Sequence, residues 1–197
     1  SQFALRHHPS FEADWEALAN VTADHRARIE TELPSGYAVP RTAESSSLQA
    51  AIYDSPVTVV FGESGSGKSA LVKSVLDGAY PSWNQVWFGP ESLKTALSAS
   101  SRRAIPLIHE LSQVLNATVK QKNVLVIDAA ERIESSETVV LRQLLGAILR
   151  NDCDESGGVW RVVVVTQAQS WIQDEAAILD DQNVHMFEVE LLDSNSV

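Results

Sequence analysis

The chain has one cysteine, Cys153, and one methionine among its 197 residues. A single thiol excludes an intrachain disulfide and any metal site built on several cysteines. Cys153 also sits in an acidic stretch without a histidine partner, a setting that disfavours a reactive thiolate. The histidines at positions 7, 8, 25, 109 and 185 show no ligand spacing with carboxylates or cysteine. No apolar run approaches membrane-spanning length and the N-terminus lacks a signal-peptide pattern, so a cytoplasmic setting without a membrane partner is expected. Basic residues are few: 15 Lys and Arg stand against 26 Asp and Glu, for a net charge of −11. A surface of that sign repels a phosphate backbone, which disfavours direct nucleic-acid binding. Hydrophobic residues make up 44% of the chain, enough for one good-sized α/β core with an appendage.

Against this plain background one segment is dense with chemistry. Gly62-Glu63-Ser64-Gly65-Ser66-Gly67-Lys68-Ser69 follows the β-branched run Val57–Phe61 and precedes Ala70, Leu71, Val72, Val75 and Leu76 at helical spacing. This is a complete G-x-x-x-x-G-K-[ST] loop in a strand–loop–helix context. Its glycines let backbone N–H groups turn inward around a phosphate chain, and the helix N-terminus beneath adds partial positive charge. Residues Gly62 through Ala70 are thus the expected nucleotide cradle. Lys68 reaches the β- and γ-phosphates, and Ser69 ligates Mg²⁺.

The rest of the chain alternates helices and strands. An amphipathic helix is expected over 11–32 with Ser10 as N-cap, broken by Pro34-Ser35-Gly36. Thr42 would cap a helix to about Asp54. Strands are expected at 57–61, 85–88, 124–127, 161–166 and 184–190. Helices are expected at 68–77 ending at Gly78, then at 91–99, 105–119 and 137–150, with a polar loop over 151–158. Such alternation implies a parallel sheet covered on both faces, with ligand at the carboxyl ends of the strands.

Val124–Ile127 delivers Asp128 at such an end, and Asp128 would hold Mg²⁺ together with Ser69. Glu131 could polarise the attacking water, and Thr166, ending the next buried strand with Gln167 and Gln169 nearby, could sense the γ-phosphate. After Arg161 there is no lysine or arginine, so no arginine finger comes from that segment. Arg41, Arg102, Arg103, Arg142 and Arg150 remain, and Arg41 alone precedes the helix leading into the first strand. No N-K-x-D run is present, which favours adenine over guanine. Trp83, Trp87, Trp160 and Trp171 are expected at core edges. Glu155-Ser156-Gly157-Gly158-Val159 is similar to a transporter-ATPase signature but follows Asp128, where that signature precedes it.

With these parts in order, residues 39–192 resemble the nucleotide-binding core of STAND-class signal-transduction ATPases, relatives of AAA+ and NACHT modules. Val39-Pro40-Arg41-Thr42-Ala43-Glu44 is similar to the family's adenine-contacting element, with Pro40 at its glycine position. Val124–Glu131 is similar to the acidic second motif, and Thr166 to the sensor threonine, with Ala168 where the family carries arginine. The resemblance implies a three-layer α/β/α P-loop NTPase with a mostly parallel five-stranded sheet in the order 5-1-4-3-2. It implies a helical N-terminal segment over 1–36 and a core over 37–197 without lid or winged-helix regions. It further implies ATP or ADP with Mg²⁺, slow ATP hydrolysis, oligomerisation on ATP binding, and a role as a switch, in many bacterial members for antiviral defence. Other domains of a longer chain would be its partners, because Glu190–Ser194 reads as the start of a further element. Three alternatives stand beside this: a nucleoside or small-molecule kinase, an AAA+ loader or transposition regulator acting on DNA, and a nucleotide-binding scaffold without turnover.

Overall fold

The computed structural model describes residues 10–31, 40–97, 105–117, 122–150, 160–167 and 184–191. In chain order the elements are α1 (Glu12–Ala27), α2 (Thr42–Asp54), β1 (Val57–Gly62), α3 (Lys68–Ala79), β2 (Asn84–Phe88), α4 (Pro90–Leu97), α5 (Leu111–Asn116), β3 (Asn123–Ile127), a 3₁₀ turn (Ala130–Arg132), α6 (Ser135–Arg150), β4 (Trp160–Gln167) and β5 (Val184–Glu188). The strands form one sheet in the order β2-β3-β4-β1-β5, and every pairing among them is parallel. Read from the other edge this is the expected 5-1-4-3-2.

The core strands read as unbroken apolar runs because both faces of the sheet are covered. Leu125 and Ile127 of β3, with Val162 and Val164 of β4, face a layer containing Leu18, Leu93, Val114, Leu115, Leu141, Leu145 and Ile148. Their alternates Val124, Val126, Val163 and Val165 face Leu48, Ile52, Leu71, Val72, Val75 and Leu76 of α2 and α3. A two-residue period thus divides one run of valines between two cores.

Several boundaries differ from expectation for identifiable reasons. Helix α1 stops at Ala27, before the Pro34-Ser35-Gly36 breaker, because Lys73 Nζ on α3 draws the carbonyls of Arg26 and Ile29, each at 2.9 Å. Ser10 is not its cap. Phe11 holds that position without any side-chain capping bond, its ring set edge-on to His109 at 4.8 Å. Arg41 likewise occupies the N-cap of α2, and Thr42 is its first helical residue. Helix α3 runs through Gly78 to Ala79. Only Leu111–Asn116 of the 105–119 expectation is an α-helix among the described residues. Pro106 disfavours a helical Ile105, and the amides of Ile108 and His109 are taken by the Asp14 carboxylate instead of by a helical turn. The 151–158 loop lies outside the described residues.

Helix α1 packs along the edge strand β2. Asp14, Leu18, Thr22 and His25, at i, i+4, i+8 and i+11, share the helix face that does so. Each polar member of that face has a partner. Asp14 binds the 108–109 turn and His109 Nδ1 at 2.7 Å, and Thr22 Oγ1 accepts the Trp87 amide at 3.0 Å. The partner of His25 lies in the cleft.

Candidate nucleotide site

The loop after β1 closes tightly. Gly62 has φ +149°, and a Cβ there would stand 2.3 Å from the Val189 carbonyl oxygen, so the close approach of the segment after β5 requires glycine. Gly67, at φ +80°, turns the chain into α3 as its left-handed N-cap. Ser66 is buried, whereas Glu63, Ser64 and Gly65 are exposed at the loop tip. Lys68 folds back into the loop, its Nζ donating to Gly62 O at 2.9 Å, Glu63 O at 2.7 Å and Ser66 Oγ at 3.5 Å. Burial holds this ammonium below the ordinary lysine range, while the charges of Glu131 and Asp128 pull it the other way.

Asp128 enters from β3, its amide bonded to Phe88 O at 2.8 Å. Its Oδ1 accepts Ser69 Oγ at 2.8 Å and the Ala129 amide at 3.0 Å, and its Oδ2 accepts His25 Nε2 at 3.0 Å. Ala129 is the one non-glycine residue at positive φ among the described residues, at φ 55° and ψ 48°. That left-handed step, sterically unfavourable for alanine, turns the chain from the strand end into the 3₁₀ turn that presents Glu131. Glu131 Oε2 then accepts the Gln167 amide at 3.1 Å and Thr166 Oγ1 at 3.3 Å, which ties it to the end of β4.

A cleft of about 360 Å³ opens over these groups, lined by Ser64, Gly65, Gly67 to Ala70, Asp128, Ala129, Glu131 and Val165 to Gln167. Its volume falls in the range of small-molecule sites. Nine of the expected residues therefore converge: Ser64, Gly65, Gly67, Lys68, Ser69, Ala70, Asp128, Glu131 and Thr166. Gly62 and Ser66 are buried at the base of the loop, and Glu63 is exposed at its tip outside the cleft lining. Arg41 stands apart, with its guanidinium on Glu44 Oε1 at 3.2 Å and Glu190 O at 3.3 Å, and it does not line the cleft. Of the other arginines, Arg142 is exposed on α6, the side chain of Arg150 is not described, and Arg102 and Arg103 lie outside the described residues. So do Gln169, Cys153, Trp171 and the 155–159 signature-like stretch. Trp87 and Trp160 are core residues rather than edge residues, being 0% and 2% exposed.

Sequence reading missed the wall contributed by the exit of α1. Arg28, Ile29 and Glu30 line the cleft, and His25 touches Asp128. No ligand spacing marks His25 in the sequence. The usable signal was different: polar residues recurring on the buried face of an amphipathic helix.

Comparison with known proteins decides the family. The family model for ABC transporters matches residues 46–182, more than half of the chain. The chain belongs to the ABC transporter family. No curated protein matches it in sequence. The ORC2 protein of Aeropyrum pernix, solved as ADPNP and ADP complexes, is similar in fold at TM-score 0.57 and 15% identity, covering 85% of this chain and 50% of that one. AMPPCP-bound DnaA from Aquifex aeolicus gives 0.53 and 11%, covering 85% and 53%. Domain III of the Thermotoga maritima replication initiation protein DnaA gives 0.56 and 12%, covering 96% and 70%. This chain spans about half the length of the first two. At such identities the likeness is one of fold alone: a P-loop NTPase fold built on a five-stranded parallel sheet. No helix among the described residues is long and apolar enough to cross a membrane.

Proposed function

We propose that this chain is the Mg²⁺–adenine-nucleotide core of a regulatory ATPase switch of the STAND type, whose nucleotide state sets how it assembles with other domains and with copies of itself. The observation that carries the reading is the pair of hydrogen bonds Ser69–Asp128 (2.8 Å) and Glu131–Thr166 (3.3 Å) beside the phosphate loop. It joins the first turn of α3 to the ends of β3 and β4. A ligand seated on the loop therefore bears on three elements at once.

The donor set fits the expected groups. A hydroxyl and a carboxylate already in hydrogen-bond contact suit a hard cation, and the glycine loop offers backbone donors with open space at Gly65 and Gly67. Ser69 and Asp128 would hold Mg²⁺, which when bound neutralises charge on the β- and γ-phosphates. Lys68 would leave the Gly62 and Glu63 carbonyls for the phosphates, exchanging neutral acceptors for charged ones. Glu131 would orient the attacking water and take its proton, and Thr166 would keep Glu131 aimed. The cleft lining includes no cation besides Lys68 and Arg28 among the described residues, which supports slow turnover. The few kcal/mol that a γ-phosphate contact supplies are enough to bias a two-state arrangement.

Size-exclusion chromatography of the chain with its flanking regions tests the switch. ATP should yield a larger species than ADP, and identical elution in both would overturn it. A second reading, an AAA+ loader or regulator acting on DNA, draws support from fold similarity to DnaA and ORC2. The net charge of −11 weighs against DNA contact by this module. A salt-sensitive shift of duplex DNA would favour that reading.

A further inference from the structure

We infer that His25 is a positioning residue for Asp128, which makes the N-terminal helix a working part of the metal–nucleotide site. The inference rests on the Mg²⁺–nucleotide reading above and deepens it.

The two oxygens of Asp128 have different partners. Ser69 and the Ala129 amide both bind Oδ1. Held at that atom alone, the carboxylate could swing its Oδ2 about the side-chain torsion. His25 Nε2, 3.0 Å from Oδ2, closes that freedom. An ionised carboxylate can only accept, so Nε2 carries the hydrogen of this bond. The two side chains are 19% and 12% exposed, so water competes little for the contact.

The imidazole sits in a slot shaped for it. Its ring centroid lies 6.3 Å from that of Trp87. On another side is Gly89, where a Cβ would stand 2.8 Å from the ring Cε1 and 2.9 Å from Nδ1. The helix that carries His25 is clamped at the same corner. Lys73 holds the Arg26 and Ile29 carbonyls, Arg26 pairs with Asp77, and Thr22 takes the Trp87 amide. Lys73 and Asp77 belong to α3, the helix whose first turn bears Ser69. Both side-chain donors to Asp128 thus ride on helices fastened to each other.

Outer donors of this kind orient a metal-ligating carboxylate, and their removal weakens metal affinity by about 10–100-fold. By linkage, a metal that depends on His25 must in turn secure α1. A hydrogen bond serving only to pack α1 would change stability without touching the Mg²⁺ dependence.

The test is ADP binding by calorimetry, in Mg²⁺ and in EDTA, on the 197-residue chain. His25→Ala should lose about tenfold in affinity with Mg²⁺ and less than about twofold in EDTA. His25→Gln, whose amide nitrogen can reach the same oxygen, should recover most of the loss. Gly89→Ala, which displaces the ring while leaving the histidine in place, should reproduce the defect. Hydrogen exchange gives a second readout: Mg²⁺–ADP should slow the amides of residues 20–28 in the wild type and not in His25→Ala. Two routes to the same defect keep the test decisive if one variant fails to fold. An unchanged Mg²⁺ step in both variants, or equal losses in Mg²⁺ and EDTA, would overturn the role of His25 alone. Absence of any ADP binding by the wild type would instead overturn the site reading beneath it.

Discussion

The two ends of the sheet are built on different principles. At the carboxyl end lie all the positive-φ residues among the described part of the chain, Gly62, Gly65, Gly67 and Ala129, together with Lys68, Asp128 and Glu131 in and around one cleft. The amino end is aromatic by comparison. Tyr80 stacks on Trp83 at 4.2 Å, Lys122 Nζ sits 3.9 Å over the Tyr53 ring, and Asn84 pairs with Asn123 at 2.9 Å. Trp160, at the start of β4, gives its indole N–H to Leu115 O at 3.1 Å. Strain and part-buried charge gather where strands end and loops must receive a ligand, while packing and satisfied polar groups gather where the chain enters the sheet. One end carries stability and the other holds groups in positions that stability alone would not choose.

The widest separation should come from Trp160→Ala. Truncating a fully buried indole costs ~3–5 kcal/mol of stability, measured by urea unfolding, and should leave ADP affinity of the folded fraction unchanged. Lys68→Ala should do the reverse. Nucleotide affinity should fall by ~1.5–3 kcal/mol, the worth of hydrogen bonds from a charged donor. The unfolding midpoint should hold or rise, because a desolvated ammonium is removed.

Asp14 sharpens the contrast, being a buried carboxylate on the same helix as His25 but at its other end. Burial alone would raise its pKa. The His109 side chain and the amides of Ile108 and His109 outweigh this and hold the carboxyl below its ordinary value. A depressed folded pKa means that the stabilisation is present above the unfolded value near 3.8 and is lost as pH falls through the lower folded value. Asp14→Asn should therefore cost ~1–3 kcal/mol at neutral pH and flatten the acid limb of a pH–stability profile, with Mg²⁺-dependent binding intact. The smallest effect belongs to Ala129→Gly. Relief of the left-handed alanine should raise stability by ~1 kcal/mol, readable as a shift in thermal midpoint.

How much of this was legible in the sequence follows the same division. The phosphate loop, Asp128 and the core strands were readable because the loop is contiguous and the strands are unbroken apolar runs that must be buried on both faces, whereas the strand order came only from the family resemblance. Glu131 and Thr166 were readable as candidates by their place after strands, but their mutual hydrogen bond was not, since it depends on the left-handed step at Ala129. The role of α1 was hidden for a physical reason. Its buried face carries Asp14, Thr22 and His25, polar residues whose partners lie far along the chain, so hydrophobic periodicity there is weak. The irregular 105–110 segment was hidden for the same reason, because a carboxylate on α1 competes for the amides that a helix would have used. Arg41 is the converse case: its place before the first strand suggested that it could lie beside the nucleotide, and its guanidinium bonds to Glu44 and to the chain after β5.

The central claim is that the carboxyl end of this sheet is a Mg²⁺–adenine-nucleotide site. Calorimetric titration of ATP into the wild-type chain and into folded Lys68→Ala, each with and without Mg²⁺, tests it most directly. The account predicts saturable binding by the wild type that tightens with Mg²⁺ and a loss of at least about tenfold in the variant. Wild-type protein that fails to bind, or a variant that binds as the wild type does, would contradict it.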